Sequence, residues 1–269
     1  MPREISNVTL GTGTVLSYAE QGDRSGPTLV LLPGPTDSWR SYLSVLDRIP
    51  LSMRTIAVSP RGHGDSDKPP TGYRVDDFAG DVEALFDALR IGRAVVAGHS
   101  GSCLVARRVA IDLPERVAGL VLEASPTTLY GNAALTALVE STVSGLDDPI
   151  DPDFAHAFVG DTSSGGVAPE VLDAMAREVL KVPARVWQEM FAGLLQYDDR
   201  PELGRITAPT LLIWGDADEV VGREMQDELL ARMSGAELVV YQGVGHTPRW
   251  EDPARFAADV TAFVERMGN

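Results

Sequence analysis

Short apolar runs alternate along the chain with amphipathic segments, and this alternation restricts the fold more than any other feature of the sequence. Such alternation is typical of a mostly parallel β-sheet whose strands are joined by helical crossovers. We therefore predict an α/β fold, with a central sheet flanked by helices. The predicted strands are residues 28–32, 55–58, 94–97, 120–122, 210–214 and 238–241. The predicted helices that flank them are residues 75–89, 104–111, 223–233 and 253–267.

The alternation stops between residues 128 and 198. Strand-like runs are missing there, and the sequence predicts helical stretches near 169–180 and 183–195 instead. We therefore expect residues 128–198 to form a helical insertion. Residues 1–127 and 199–269 would then form a single core domain, a size that α/β folds often reach.

Composition argues against several classes of partner. The 269 residues include 23 basic and 39 acidic side chains, a formal net charge of −16, and such a surface repels nucleic-acid phosphates and anionic membranes. The single cysteine, Cys103, has no partner for an intramolecular disulfide. Because no apolar signal segment and no bilayer-length apolar run is visible, we expect a cytoplasmic protein.

A serine follows the predicted strand at 94–97, in the stretch Gly98-His99-Ser100-Gly101-Ser102. In parallel α/β sheets, ligands bind beyond the carboxyl ends of strands. A serine on a sharp strand-to-helix turn is lifted above the sheet, close to helix N–H groups that can bind an oxyanion. Ser100 is therefore a candidate nucleophile, and the N–H of Gly101 is a candidate oxyanion donor.

A serine hydroxyl needs a base, and the base needs a carboxylate to orient it. His246 lies after the last predicted strand, where its loop can bring the imidazole over the sheet to Ser100. Asp216 and Asp218 both follow the strand at 210–214. Either aspartate gives the chain order serine, acid, histidine, which is the order found in α/β-hydrolases.

Four motifs in this order resemble the α/β-hydrolase superfamily over nearly the whole chain. They are Arg61-Gly62-His63-Gly64-Asp65-Ser66, Gly98-His99-Ser100, Trp214-Gly215-Asp216-Ala217-Asp218, and Gly245-His246 with Glu251-Asp252-Pro253. The resemblance implies that Asp218 is the acid, with Glu123 a further alternative because some relatives place the acid after the preceding strand. It also implies that residues 128–198 stand in the place of the family's helical cap.

Two positions depart from the family pattern. The first loop of the family reads His-Gly-x, and the N–H of x donates to the oxyanion, but here the loop reads Pro33-Gly34-Pro35. Proline has no N–H. Gly34, Pro35 and Thr36 are therefore candidate oxyanion or substrate-binding residues, with Thr36 as the substitute donor. In the turn around Ser100, Ser102 replaces the usual glycine, and serine is small enough to fit.

These residues predict a cofactor-free serine hydrolase that cleaves a small carboxylic ester or lactone through Ser100, His246 and Asp218. Two alternatives stay open. The absent donor at Pro35 favours a non-hydrolytic enzyme of the same fold, such as a lyase or a cofactor-free oxygenase, and a small-molecule receptor is the other. The four histidines are dispersed and no nucleotide motif follows a strand, so we expect neither a metal nor a cofactor. The sequence assigns no oligomeric state.

Overall fold

Eight strands form a single sheet in the computed structural model, which describes residues 1–268. Their order across the sheet is β1-β2-β4-β3-β5-β6-β7-β8. The strands are β1 (Glu4–Thr9), β2 (Val15–Gln21), β3 (Thr28–Leu32), β4 (Arg54–Val58), β5 (Ala94–His99), β6 (Val117–Glu123), β7 (Thr210–Gly215) and β8 (Ala236–Tyr241). Strands β3 to β8 pair in parallel, while β1 and β2 are antiparallel. The predicted α/β fold with a mostly parallel sheet is confirmed.

Helices cover both faces of this sheet. They are α1 (Leu43–Leu46), α2 (Val75–Ala88), α3 (Ser102–Asp112), α4 (Ala133–Ser141), α5 (Pro152–Gly160), α6 (Pro169–Val179), α7 (Ala184–Gln196), α8 (Arg223–Arg232), α9 (Pro248–Glu251) and α10 (Pro253–Met267). Four of them, α4 to α7, belong to the segment between β6 and β7. Helix α10 has the predicted bounds: Pro253 occupies its first turn, where a missing N–H costs nothing, and the Asp252 side chain caps it. Within residues 1–268, no helix combines the length and apolarity that a bilayer span requires.

The alternation of side chains along β3 shows how the sheet is buried on both faces. Val30 and Leu32 pack into the apolar cluster that contains residues of α2 and α3. Leu29 and Leu31 pack into the opposite cluster, with residues of α1 and α10. A central parallel strand covered on both faces needs a continuous apolar run, and the sequence 28–32 supplies one.

The segment 128–198 leaves the sheet after β6 and returns before β7. It contains α4 to α7, and no strand is present among its residues. The buried Trp187 side chain organises the packing of its aromatic residues, with ring centroids 5.5 Å from Phe154, 4.8 Å from Phe158 and 5.7 Å from Phe191. Helices α6 and α7 match the predicted stretches, whereas α4 and α5 were not predicted.

A buried arginine on α3 holds both ends of this segment. The Arg107 guanidinium donates to the carbonyls of Pro126 and Thr127, each at 2.9 Å, where the chain leaves the sheet. It also forms two 2.9 Å hydrogen bonds with the carboxylate of Asp199, where the chain returns. Both ends of the segment are therefore fixed to one side chain, that of Arg107 on α3.

Candidate active site

Ser100 lies directly after β5, in a turn that leads into α3. Its φ angle is +53°, an uncommon backbone conformation for a non-glycine residue, and its N–H donates to the carbonyl of Glu123 at 2.9 Å. The turn is so tight that a Cβ added at Gly98 would lie 2.6 Å from the carbonyl oxygen of Ser102. The sequence folds this way because Gly98 admits that contact, and the turn lifts the half-buried Ser100 hydroxyl above the sheet edge.

The structure brings Ser100, His246 and Asp218 together in one chain of hydrogen bonds. The Oγ of Ser100 is 2.9 Å from Nε2 of His246, and Nδ1 of His246 is 2.9 Å from Oδ2 of Asp218. His246 is only 4% exposed, and the Asp218 side chain is fully buried. With Asp218 accepting from Nδ1–H, Nε2 has a lone pair to accept the serine proton.

The second carboxylate oxygen of Asp218 fixes the orientation of its side chain. Oδ1 accepts the N–H groups of Val220 and Val221 at 2.8 and 2.9 Å. These backbone donors leave Oδ2 directed at the imidazole of His246. The carboxylate therefore has hydrogen-bond partners at both oxygens, as a buried charge requires.

Neither alternative acid forms a hydrogen bond with the imidazole in the part of the chain that the structure describes. Asp216 accepts the N–H of Gly243 through Oδ1 at 2.6 Å, so it stabilises the loop after β8. Glu123 accepts the N–H of Arg249 through Oε1 at 2.8 Å. Of the three carboxylates that the sequence offered, Asp218 has the geometry of an imidazole partner.

A hydrogen bond from His99 fixes the loop that carries His246. Its Nε2 donates to the carbonyl of His246 at 2.9 Å, and the two ring centroids are 4.9 Å apart. Burial of the ring, together with the nearby positive charge of Arg249, holds the pKa of His99 well below its usual value. His99 is therefore neutral at pH 7 and acts as a fixed donor.

The four candidate oxyanion residues lie side by side. The N–H of Asp37 donates to the carbonyl of Gly34 at 3.1 Å, which closes a tight turn with Pro35 and Thr36 at its centre. A Cβ added at Gly34 would lie 2.4 Å from Nδ1 of His99, so a side chain there would displace the His99 ring. A Cβ added at Gly101 would lie 2.9 Å from Cγ of Pro35. The first loop therefore packs directly against the residue that follows Ser100.

Thr36 has the features of a strained residue at the centre of this turn. Its φ angle is +74°, and a β-branched side chain is rarely found there. Its buried hydroxyl has no hydrogen-bond partner within residues 1–268. Within the described residues 1–268, the backbone N–H groups of Thr36 and Gly101 likewise donate to no protein acceptor. Such strain and unused donors are typical of functional sites.

Ser102, the second departure from the family pattern, links the two loops. Its hydroxyl donates to the carbonyl of Pro33 at 2.6 Å. A glycine at this position could not make the bond. Serine is therefore accommodated as expected, and its hydroxyl also ties the start of the first loop to the N-terminus of α3.

A buried cluster behind His246 was not predicted. The guanidinium of Arg249 donates to Oδ2 of Asp37 at 2.7 Å and to Oγ of Ser41 at 2.8 Å, and its Nη1 is 3.4 Å from Oε1 of Glu123. We call Asp37, Arg249 and Glu123 the buried ion cluster. It joins the first loop, the end of β6 and the helix after His246. The sequence did not predict this cluster, because an arginine side chain is usually exposed.

Burial dominates the electrostatics of this cluster. It raises the pKa values of both Glu123 and Asp37 above their ordinary values, and the charge of Arg249 opposes that rise. The pKa of Arg249 is raised as well. Burial alone would lower it, but the attraction of the carboxylates of Glu123 and Asp37, together with Tyr42, outweighs that effect. The cluster therefore depends on all three charges being present together.

Two further expectations concern Cys103 and the metal ligands. The Cys103 side chain is buried, and burial raises the pKa of its thiol to about 12, so it is an unreactive core residue. Among residues 1–268, no group of three or more histidine, cysteine, aspartate or glutamate side chains is placed to bind a metal ion.

A sequence model of the alpha/beta hydrolase family matches residues 29–259. The chain belongs to the alpha/beta hydrolase family. A non-heme chloroperoxidase from Streptomyces lividans is 30% identical over 97% of this chain and all of its own length. A 3-oxoadipate enol-lactonase of Acinetobacter baylyi is 26% identical, over 94% of each chain. An esterase from a Rhodococcus species is a similar solved structure, with a TM-score of 0.84 and 28% identity over 98% of this chain and 99% of its own.

Proposed function

We propose that this member of the alpha/beta hydrolase family is a serine hydrolase of small carboxylic esters or lactones. One observation carries the proposal: the hydrogen-bonded chain from Ser100 through His246 to Asp218. A nucleophile, a base and an orienting acid at hydrogen-bond distance are the arrangement that activates a serine hydroxyl. Relatives named as an enol-lactonase and as esterases agree with this reading.

The reaction follows from the geometry in two halves. As Ser100 Oγ attacks the carbonyl carbon, Nε2 of His246 takes the hydroxyl proton, and Asp218 stabilises the imidazolium. The imidazolium then protonates the leaving alcohol, which gives an acyl-enzyme. Water, deprotonated by His246, next attacks the acyl carbon and releases the acid. With a lactone, the leaving alcohol stays attached to the acyl group, and the product is a hydroxy acid.

The oxyanion is proposed to be held by Gly101 and Thr36. The Gly101 N–H lies at the N-terminus of α3, where the helix dipole favours negative charge. Because Pro35 has no N–H, the second donor comes from the neighbouring Thr36, whose hydroxyl and N–H both lack acceptors among residues 1–268. Loss of one such donor raises the activation barrier by about 2.7–4 kcal/mol, so a replacement donor at Thr36 matters for the rate.

Residues 128–198 are proposed to act as a cap that closes the site. Helix α7 of this segment brings Leu194 against the oxyanion region, because a Cβ added at Gly101 would lie 3.2 Å from its Cδ1. The same helix is anchored to the sheet layer through Glu189, whose carboxylate accepts the N–H groups of Gly72 and Tyr73. The segment therefore limits the size of the group that can reach Ser100.

Labelling with a fluorophosphonate tests the proposal directly. Such a reagent forms a covalent adduct only with an activated serine. We expect one adduct per chain by intact-protein mass in the wild type and none in Ser100→Ala. A wild type that forms no adduct, or a Ser100→Ala variant that keeps it, would overturn the assignment of Ser100. Turnover of small esters and lactones, lost in Ser100→Ala, identifies the reaction.

Perhydrolysis is a second candidate activity, favoured by relatives that are named haloperoxidases. In place of water, hydrogen peroxide would attack the acyl-enzyme and release a peroxy acid, with Ser100 regenerated. The test is formation of peroxy acid from a methyl ester and hydrogen peroxide. We expect it to depend on Ser100, and formation at an equal rate in Ser100→Ala would refute it.

A further inference from the structure

The parts of the candidate site come from strands that are not neighbours in the sheet. The turn of residues 34–37, which carries Thr36, follows β3, whereas His246 follows β8, and β5, β6 and β7 lie between these two strands. Pairing of strands therefore does not join the loop of the proposed oxyanion donor directly to the loop of the base. Both groups must act on the same substrate carbonyl, and a misplacement of about 1 Å can cost about 100-fold in rate.

The turn has a backbone conformation that is unfavourable for Thr36. The N–H of Asp37 closes the turn by donating to the carbonyl of Gly34. Pro35 occupies its second position, and Thr36, with a φ angle of +74°, occupies its third. These are the features of a type II turn, whose third position favours glycine. Because strain of this kind persists only where the surrounding structure holds it, the contacts of the turn decide whether Thr36 keeps its position.

Buried side chains hold the turn at both ends. At its start, the Ser102 hydroxyl donates to the carbonyl of Pro33. At its end, Oδ2 of Asp37 accepts the guanidinium of Arg249 at 2.7 Å and the hydroxyl of Ser41 at 2.9 Å. Asp37, Ser41 and Arg249 are each at most 5% exposed. Since hydrogen bonds between charged partners are stronger than neutral ones, the end of the turn that follows Thr36 is fixed mainly through Arg249.

Arg249 connects this carboxylate to the loops of the base and the nucleophile. It lies on α9, three residues after His246. Its backbone N–H donates to Oε1 of Glu123 at 2.8 Å, and the backbone carbonyl of Glu123 accepts the N–H of Ser100 at 2.9 Å. The buried ion cluster therefore reaches all three loops that carry the site.

We infer that Asp37 is a positioning residue, whose bond with Arg249 holds Thr36 in its strained conformation and aligns it with the base. The inference rests on the proposed function, since it assigns the group that places the oxyanion donor of the same site. Asp37 acts through Thr36 and does not contact the substrate. Because an oxyanion donor stabilises the transition state, loss of its alignment lowers kcat and leaves KM close to its wild-type value.

Two substitutions of Asp37 test the role of its hydrogen bonds. Asp37→Ala removes the acceptor of Arg249 and Ser41 but keeps the backbone N–H that closes the turn. We expect kcat for a small ester to fall about 10- to 100-fold, with KM nearly unchanged. Asp37→Asn keeps an oxygen for both donors and should retain most of kcat. An unchanged kcat in Asp37→Ala, or an Asp37→Asn variant as slow as Asp37→Ala, would overturn the inference.

Glu20→Ala is the matched control for a general loss of stability. Glu20 and Arg54 form another buried ion pair, 2.8 Å apart, with side chains 3% and 8% exposed. Arg54 begins β4, so the pair lies at the sheet edge opposite to the one that carries Ser100 and His246. Both alanine variants should lose stability in urea unfolding, but only Asp37→Ala should lose kcat. Equal losses of kcat in the two folded variants would refute a positioning role.

Ser41→Ala is the milder variant, for the case in which Asp37→Ala does not fold. It removes one of the two donors to Oδ2 of Asp37 and keeps the ion pair with Arg249. It should lower kcat about two- to tenfold, the range of one hydrogen bond. In that case an unchanged kcat in Ser41→Ala would contradict the inference.

The backbone chemical shifts of Thr36 test the inference without turnover. Carbon-13 shifts of the backbone depend on φ and ψ, so they report whether Thr36 keeps its positive φ angle. We expect these shifts to change in Asp37→Ala and to keep their wild-type values in Asp37→Asn and Glu20→Ala. Unchanged shifts in Asp37→Ala would mean that other contacts hold the turn, and the inference would fail.

The two proposals fail in different ways. A wild type that forms no fluorophosphonate adduct and hydrolyses no ester, but whose Thr36 shifts change in Asp37→Ala, would lose the hydrolase assignment and retain Asp37 as the residue that holds Thr36. A wild type that hydrolyses small esters through Ser100, with the same kcat in Asp37→Ala, would retain the hydrolase assignment and lose the positioning role.

Discussion

Replacing Arg249 by methionine should destabilise the protein strongly. Arg249 is fully buried and donates to Asp37 at 2.7 Å and to Ser41 at 2.8 Å, with Glu123 in contact. Methionine fills similar space but leaves two buried carboxyl groups without their cation. Removal of one partner from a buried ion pair costs about 3–5 kcal/mol, and we expect a decrease of that size in the free energy of unfolding.

The loss should grow with pH. Without Arg249, nothing opposes the effect of burial, so the carboxyl pKa values of Asp37 and Glu123 rise further above the ordinary value of about 4. The folded Arg249→Met variant then holds protons that the unfolded chain has released. Its free energy of unfolding therefore falls as pH rises from about 4 through the raised folded-state pKa values. The deficit relative to wild type should be smaller at pH 5 than at pH 8.

Urea unfolding followed by tryptophan fluorescence at both pH values measures this. The control is Arg223→Met, which breaks the surface pair between Arg223 and Asp227, whose side chains are 51% and 57% exposed. Exposed pairs contribute about 0.2–1 kcal/mol, so the control should remain close to wild type. A loss below about 1 kcal/mol in Arg249→Met, or an equal loss at pH 5 and pH 8, would refute the reasoning.

Three further predictions concern single side chains. Asp218→Asn should lower kcat by about 10⁴-fold because an amide favours the wrong imidazole tautomer, whereas Asp216→Asn should stay near wild type in the same ester assay. Ser102→Ala removes the bond to the carbonyl of Pro33 and should cost about 1 kcal/mol in urea unfolding; an unchanged midpoint would contradict this. The Cys103 thiol, with its pKa raised to about 12, should resist iodoacetamide at pH 8 in the folded protein and react in urea, as read by mass.

Much of the sheet was predictable because its central parallel strands are buried on both faces. The run at 28–32 and the helix at 253–267 carry that information locally, as continuous apolar residues or as a capped amphipathic pattern. Strands β1 and β2 were not predicted. β1 is exposed along much of one face and includes Ser6 and Asn7. β1 pairs with β2, and β2 pairs antiparallel with β4, a long-range pairing that the local sequence does not encode.

The hydrogen-bonded chain of the site was predictable for a different reason. Ser100, His246 and Asp218 each follow a strand, so the topology brings them to one edge of the sheet. Arg249 and its buried carboxylate partners were not predictable, since a charged residue is usually exposed and its pairing depends on loops far apart in sequence.

The hydrogen bonds of Arg107 with Pro126, Thr127 and Asp199 have a consequence for how the length of segment 128–198 can change. Since the side chain already fixes the exit and the return of segment 128–198, a change in the segment's length acts through the entropy of loop closure and through contacts such as those of Glu189 with Gly72 and Tyr73. The entropy of closure grows slowly, by only about 0.6 kcal/mol for each doubling of a flexible loop. A change of length that spares these contacts should therefore cost little stability and leave the sheet and its hydrogen-bonded chain unchanged.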